Sequence, residues 1–213
     1  MGRRFLVRNR LQKHCEGTDF YTFGVYNGDS MLYLMSNFTF RKSFGFDSFE
    51  GIPQEEVDPY NYKDWQKGFY DVRKYYKCNK EEAIQIVTKR LQDNHKNVEI
   101  IPGYWNEILT DNLVADLDMK PAYIVDIDCD IYSSCLEALD FMFRNRLVVL
   151  GTLLYYDDWG GALINCKEYE GGESRAHKEM CEKYGIETKK IFTSGKPPCV
   201  GVVFEVTGIT ANF

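Results

Sequence analysis

The stretch Ala122-Tyr123-Ile124-Val125-Asp126-Ile127-Asp128-Cys129-Asp130-Ile131-Tyr132-Ser133-Ser134 decides the fold. Its first six residues are bulky and almost continuously apolar, which suits a strand covered on both faces. Aspartates then fall at alternate positions, and a helix is expected from Ser133 to Phe143, with Ser133 or Ser134 as its cap. An apolar strand that runs into acids and then into a helix is half of a strand–helix–strand unit. The other half is expected at Leu147 to Tyr155, a fifth strand that ends at Asp157-Asp158.

The same alternation extends in both directions. Phe20-Tyr21-Thr22-Phe23 reads as a strand before the turn Gly24-Val25-Tyr26-Asn27-Gly28, with Asp29 or Ser30 capping a helix through about Asn37. Ser43 to Phe46 is a second strand ending at Asp47. A helix from about Lys80 to Asp93 carries Ala83, Ile84, Val87 and Leu91 on one face, and Val98 to Ile101 is a third strand. Glu173 to Tyr184 reads as helix, and late strands lie near Lys190 and from Val200 to Val206. Over 213 residues, 44% of them hydrophobic, this pattern predicts a single α/β domain. Its core is a mostly parallel, doubly wound sheet with helices on both faces. Ligands of such sheets bind beyond the carboxyl ends of the strands, which here are Gly24, Asp47, Gly103, Asp128 and Asp157.

Bulk properties narrow the function. With 26 basic and 32 acidic residues the net charge is -6, which argues against nucleic acid as partner. The seven cysteines (15, 78, 129, 135, 166, 181 and 199) are odd in number and never spaced C-x-x-C. Neither a zinc site nor a disulfide scaffold is expected, and Cys129 reads as a small buried filler. Met1 to Lys13 is basic without an apolar core, and Leu6 stands where a myristoylation signal needs Ser or Thr. The longest mostly apolar run, Leu147 to Tyr156, is about half the roughly 20 residues of a spanning helix. A soluble, cytoplasmic protein with no membrane partner is the expectation. Pro53 to Cys78 has no clear period yet holds Tyr60, Tyr62, Trp65, Phe69, Tyr70, Tyr75 and Tyr76. It reads as a lid or binding loop, or else as a surface excursion packed on the domain.

The chemistry concentrates in the acids. Asp157 follows Asp128 by 157 − 128 = 29 positions, so the two acidic strand ends should lie side by side. Carboxylates held that close repel unless a cation neutralises them, and a hard divalent ion such as Mg²⁺ takes oxygen ligands. The plain alternative is a set of helix caps and solvated loop acids. Asp126 shares the face of Asp128 one pleat deeper and has no role in this reading. Gly24-x-x-x-Gly28 is neither a P-loop nor a dinucleotide fingerprint, and reads either as an ordinary turn or as a cofactor loop. Asp47 at the next strand end reads either as an acceptor for ribose hydroxyls or as an unrelated loop acid. His14, His95 and His177 read as surface or helix residues.

Phe46-Asp47-Ser48-Phe49-Glu50-Gly51-Ile52-Pro53 resembles the "FDSFEGLP" signature of the macrocin O-methyltransferase (TylF-like) family. Ile127-Asp128-Cys129-Asp130-Ile131-Tyr132-Ser133-Ser134 resembles its "hDxDLYxS" motif, and Tyr156-Asp157-Asp158-Trp159 its "DDY" motif. Gly24-Val25-Tyr26-Asn27-Gly28-Asp29-Ser30 is similar to its "GVYxGxS" loop, and Gly172-Glu173-Ser174-Arg175-Ala176 to its "GExRA" segment. The resemblance implies a Rossmann-like class I methyltransferase fold, S-adenosylmethionine as donor, Mg²⁺ dependence, and O-methylation of a sugar or glycosylated small molecule. It further implies Asp128, Asp157 and Asp158 as metal ligands and Asp130 as general base. Cofactor contacts would come from Gly24, Tyr26, Gly28, Ser30, Asp47, Ser48 and Asp128. Three positions depart from the family pattern. Thr22 stands where an acid is usual, Arg146 to Thr152 replace a Pro-Gly-Gly turn, and Trp159 replaces Tyr. The N-terminal part also reads as short, where relatives carry helices that cover the substrate or build a dimer, so a homodimer stays open. Two other functions compete: a glycosyltransferase using Asp128-Cys129-Asp130 as its D-x-D, and a non-catalytic cofactor-binding domain.

Overall fold

Seven strands hydrogen-bond into one sheet in a computed structural model of the chain, which describes residues 2–9, 15, 17–57, 66–159, 171–196 and 199–210. The elements in chain order are α1 (Gly2–Asn9), β1 (Asp19–Phe23), α2 (Asp29–Met35), β2 (Ser43–Asp47), α3 (Val72–Tyr76), α4 (Lys80–Asn94) and β3 (Val98–Pro102). There follow α5 (Trp105–Ile108), α6 (Leu113–Asp116), β4 (Ala122–Ile127), α7 (Tyr132–Arg144), β5 (Leu153–Tyr156), α8 (Gly172–Lys183), β6 (Ile186–Lys196) and β7 (Cys199–Ile209). The strand order is β3-β2-β1-β4-β5-β7-β6. The pairs from β3 across to β5 are parallel, and the hairpin β6–β7 joins antiparallel to β5. The chain winds outward from β1 in both directions, so β1 and β4 flank the switch point where a crevice opens.

The period-two alternation of the central strands feeds two cores. Phe20, Ile124, Leu153 and Tyr155 face Leu6 of α1, Met31 and Leu34 of α2, and Ala83, Val87 and Leu91 of α4. Tyr21, Phe23, Val125, Ile127, Leu154 and Tyr156 face Ala138, Leu139 and Met142 of α7 with Ala176 and Met180 of α8. All six residues of β4 are buried, as its apolar run requires. Fully burying a Phe or Leu contributes about 1.5–3 kcal/mol, so these two layers are where the sheet gains its stability. Helix α4 starts where its sequence says it should. Asn79 accepts from Glu82 N at 2.9 Å and Glu82 accepts from Asn79 N at 3.2 Å, a reciprocal capping box.

Three expectations on element ends are corrected. Strand β5 begins at Leu153 rather than Leu147. Leu147 and Val148 are buried as loop residues, and Gly151 turns the chain at φ +86° before the strand. Helix α7 begins at Tyr132 with Ile131 before it, so neither Ser133 nor Ser134 caps it with a side chain. Helix α2 begins at Asp29 behind Gly28, which sits left-handed at φ +84°, so Asp29 and Ser30 lie within its first turn. The aromatic excursion after Pro53 closes on itself at its base. Phe69 O accepts from Ile52 N at 2.9 Å, and Ile52 O accepts from Gly68 N at 2.8 Å. Tyr60, Tyr62 and Trp65, like His14 and Cys166, lie outside the described residues. Among the described residues no helix is long and apolar enough to cross a membrane.

Candidate active site

The parallel ladder continues past each strand and lines up the strand ends. Phe46 O accepts from Gly24 N, Phe23 O from Asp128 N, and Asp47 O from Gly103 N, each at 2.9 Å, while Ile127 O accepts from Asp157 N at 3.1 Å. A cavity of about 700 Å³ opens along this row. Its lining includes Gly24, Tyr26, Ser30, Asp47 and Ser48 together with the acids Asp128, Asp130, Asp157 and Asp158. The residues expected to serve the cofactor and those expected to serve the acids therefore share one cavity, with one exception. Gly28 does not line it; a side chain there would meet Leu91 at 3.3 Å, so Gly28 serves the turn, not the cavity wall.

Gly24 has a specific reason to be glycine. Its φ is +95°, and a Cβ would overlap the carbonyl oxygen of Asp128. The close approach of the β1 end to the β4 end depends on that missing side chain. Asp47 then fixes the loop. Its Oδ2 accepts from Val25 N at 2.8 Å and Tyr26 N at 2.7 Å, and its Oδ1 from Phe49 N at 2.6 Å. Burial pushes its carboxyl up, and these amides oppose the shift. Each carboxylate oxygen can accept more than one hydrogen bond, so capacity remains for hydroxyls in the cavity.

The acids converge as the strand pairing requires. Asp128, Asp157 and Asp158 each offer an oxygen, all within 4.8 Å of one another. Asp130 sits left-handed at φ +65° on the loop after β4, with the charge of Asp158 bearing on it. Burial, then the charges of Asp158, Asp128 and Asp157, hold the Asp130 carboxyl well above the usual range. Burial also pushes Asp128 up to about 8, with Arg3 opposing and the neighbouring aspartates adding to the shift. An all-oxygen, partly buried, mutually repelling donor set fits a hard divalent cation such as Mg²⁺. Tyr155 OH donates to Asp157, holding one of these carboxylates from the side of β5.

Three further residues shape the site without having been singled out in the sequence. Arg3 on α1 donates to Asp126 through Nε at 3.0 and 3.2 Å and to Asp128 through Nη2 at 2.7 Å, and its Nη1 lies 3.4 Å from Asp157. This pairing gives buried Asp126 its partner. Glu173, wholly buried at the start of α8, accepts from Cys129 N at 3.3 Å and Asp158 N at 3.1 Å, tying together the loops after β4 and β5. Burial, then nearby thiol and carboxylate charge, pushes its carboxyl well up. Glu55 accepts from Ser133 N at 2.8 Å and so caps α7 from the aromatic excursion. The "GExRA" segment was the only sequence signal for Glu173; Arg3 is one of several basic residues near the N-terminus, and Glu55 carries no motif.

Trp159, His177 and Thr22 do not line the cavity, whereas Cys129 does. Trp159 packs on Tyr156 at 5.0 Å, on His177 at 5.2 Å and on Phe204 at 4.7 Å between centroids. His177 lies on a helix as expected, but it is buried, meeting Tyr156 OH at 2.8 Å and Thr188 Oγ1 at 3.1 Å. Cys129 is buried, as a filler should be. Thr22 pairs with Asp126 across β1 and β4, and its buried hydroxyl has no hydrogen-bond partner among the described residues.

The sequence pattern of the family "Macrocin-O-methyltransferase (TylF)" matches residues 6–183. No curated protein sequence matches the chain. Among solved structures, the fold is similar to that of the O-methyltransferase NovP, with a TM-score of 0.60, 19% identity, and coverage of 97% of this chain and 77% of that one. It is similar to CalS11, a calicheamicin methyltransferase, with a TM-score of 0.60, 16% identity, and coverage of 93% and 74%. It is also similar to an rRNA methylase from Streptococcus thermophilus, with a TM-score of 0.52, 15% identity, and coverage of 97% and 94%. At these identities the structural likeness speaks for a shared class I, Rossmann-like architecture.

Proposed function

The chain belongs to the macrocin O-methyltransferase (TylF) family, and on that premise we propose that its strand-end cavity methylates a hydroxyl of a sugar or glycosylated small molecule with the aid of Mg²⁺. It is an S-adenosylmethionine-dependent O-methyltransferase. The observation that carries the finer reading is the convergence of Asp128, Asp130, Asp157 and Asp158 in the cavity that the Gly24 loop and Asp47 also line. Family membership sets aside both the glycosyltransferase and the non-catalytic readings.

In this reading Asp47 and Ser48 hold the ribose side of the donor, and the backbone at Gly24 lets it approach closely, with Tyr26 and Ser30 completing that wall. Asp128, Asp157 and Asp158 hold the cation. Mg²⁺ in that trio would supply the positive charge that lowers the pKa of an acceptor hydroxyl. Asp130 takes the hydroxyl proton while the acceptor oxygen forms a bond to the methyl carbon and the sulfur–methyl bond breaks, leaving the neutral thioether. Glu173 keeps the two acidic loops in register during this step. Holding both reactants in line contributes most of the acceleration. Pro53 to Val57, Lys67 and Tyr70, described residues of the aromatic excursion, line the cavity and would border the acceptor, with Glu55 as their anchor. We place the enzyme in the cytoplasm, acting on small saccharide acceptors, and light scattering decides whether it works as a homodimer.

Transfer of labelled methyl groups to a panel of sugar acceptors tests the assignment. Asp130→Asn should keep S-adenosylhomocysteine binding and lose about 10²–10⁴-fold in rate, the usual contribution of a general base. Full activity in that variant removes Asp130 from the role.

A further inference from the structure

Arg3 bears on the cation site itself. Its guanidinium is 13% exposed and is held by a built element, not by a loose terminus. Leu6 of the same helix is wholly buried, Phe5 stacks on Phe192 with ring centroids 4.0 Å apart, and a Cβ on Gly2 would overlap the Tyr155 ring. The guanidinium also lies over that ring, 4.9 Å from its centroid. From this seat its planar fork reaches three carboxylates at once. It takes both oxygens of Asp126, which is 0% exposed, then Oδ2 of Asp128 at 2.7 Å and Oδ2 of Asp157 at 3.4 Å. Guanidinium geometry suits such multiple carboxylate contacts.

Two of these three partners, Asp128 and Asp157, belong to the trio that can hold a divalent ion. Arg3 and a metal ion therefore draw on the same two carboxylates, and two cations held a few ångströms apart repel. We propose that Arg3 is an internal counter-ion of the aspartate cluster that competes with the divalent cation. It holds the acidic strand ends together when no metal is bound and sets metal affinity lower than the carboxylates alone would give. This inference rests on the metal reading of the site given above. The matched family pattern begins at residue 6, so Arg3 lies outside it.

The test is titration of the full chain with Mn²⁺, followed by the electron paramagnetic resonance of the free ion, for wild type, Arg3→Gln and Arg3→Lys. Arg3→Gln should bind Mn²⁺ at least tenfold more tightly than wild type. Arg3→Lys, which keeps the charge but loses the fork, should fall between them. A merely structural Arg3 would give the opposite, because losing it would loosen the cluster and weaken the ion. Equal or weaker Mn²⁺ binding by Arg3→Gln overturns the proposal, as does binding by neither protein. Removing Arg3 leaves Asp126 buried and unpaired, so Arg3→Gln can fail to fold. The Arg3→Lys comparison then decides, with unchanged or weaker affinity counting against competition. S-adenosylhomocysteine binding, measured in parallel, separates the two readings. Its loss in wild type defeats the methyltransferase assignment, whereas the Mn²⁺ comparison alone decides the role of Arg3.

Discussion

Gly24→Ala perturbs the point where the cofactor loop touches the acidic strand end. The added Cβ would overlap Asp128 O and lie 3.0 Å from its carbonyl carbon and 3.4 Å from its Cβ. Ordinary carbon contacts sit at about 3.5–4.0 Å, so the Asp128 peptide must withdraw by more than about 1 Å. The φ of +95° adds backbone strain of about 1–3 kcal/mol. A shift of about 1 Å at reacting groups can cost about 10²-fold. The variant should therefore lose at least about 100-fold in kcat/KM, bind S-adenosylhomocysteine more weakly by calorimetry, and melt earlier. Gly151→Ala is the matched control. Its φ is +86°, but no atom of the described residues lies within 4 Å of the added carbon. It should lose stability of a similar order and keep its activity. Activity within threefold of wild type for Gly24→Ala would refute the argument that this contact sets the site.

Other expectations follow from particular side chains. Thr22→Val removes a buried hydroxyl that has no partner among the described residues, which costs about 1–3 kcal/mol to leave unpaired. Calorimetric melting should move up, by about 2–4 °C per kcal/mol gained; a lower midpoint would mean that the hydroxyl is satisfied. Glu173→Gln presents an amide N–H₂ to one of two backbone donors, Cys129 N or Asp158 N, and should cost about 1–3 kcal/mol with a fall in kcat at near-constant fold. Unchanged kcat would free Glu173 from positioning the acids. Burial lowers His177 to about 4 from 6.5. A depressed pKa contributes stability that is present above pH 6.5 and lost as pH falls toward 4, about 3 kcal/mol in all. The difference in urea stability between wild type and His177→Gln should shrink over that window, and a flat difference would mean that His177 is not held neutral.

Much of this architecture is written in local signals. The apolar run of β4 and the Asn79–Glu82 box of α4 both state their ends in a few adjacent residues. The strand ends Asp47, Asp128 and Asp157 could be placed together because parallel neighbours must align there. The misreadings share a cause. Hydrophobicity at Leu147 and Val148 reports burial and not backbone conformation, so β5 reads too long. The N-terminus of α7 is capped by Glu55, 78 positions away, where no local serine pattern can reveal it. Arg3 meets its aspartates across more than 120 positions, and His177 is buried by β5, β6 and β7 side chains that its own helix does not announce. Long-range charge pairing leaves no periodic trace in sequence.

Calorimetry of the intact chain with S-adenosylhomocysteine, in Mg²⁺ and again in chelator, tests the central claim most directly. The account predicts saturable binding to a single site per chain, lost or strongly weakened by Gly24→Ala. Absence of binding heat in both conditions, from a folded chain, would contradict it.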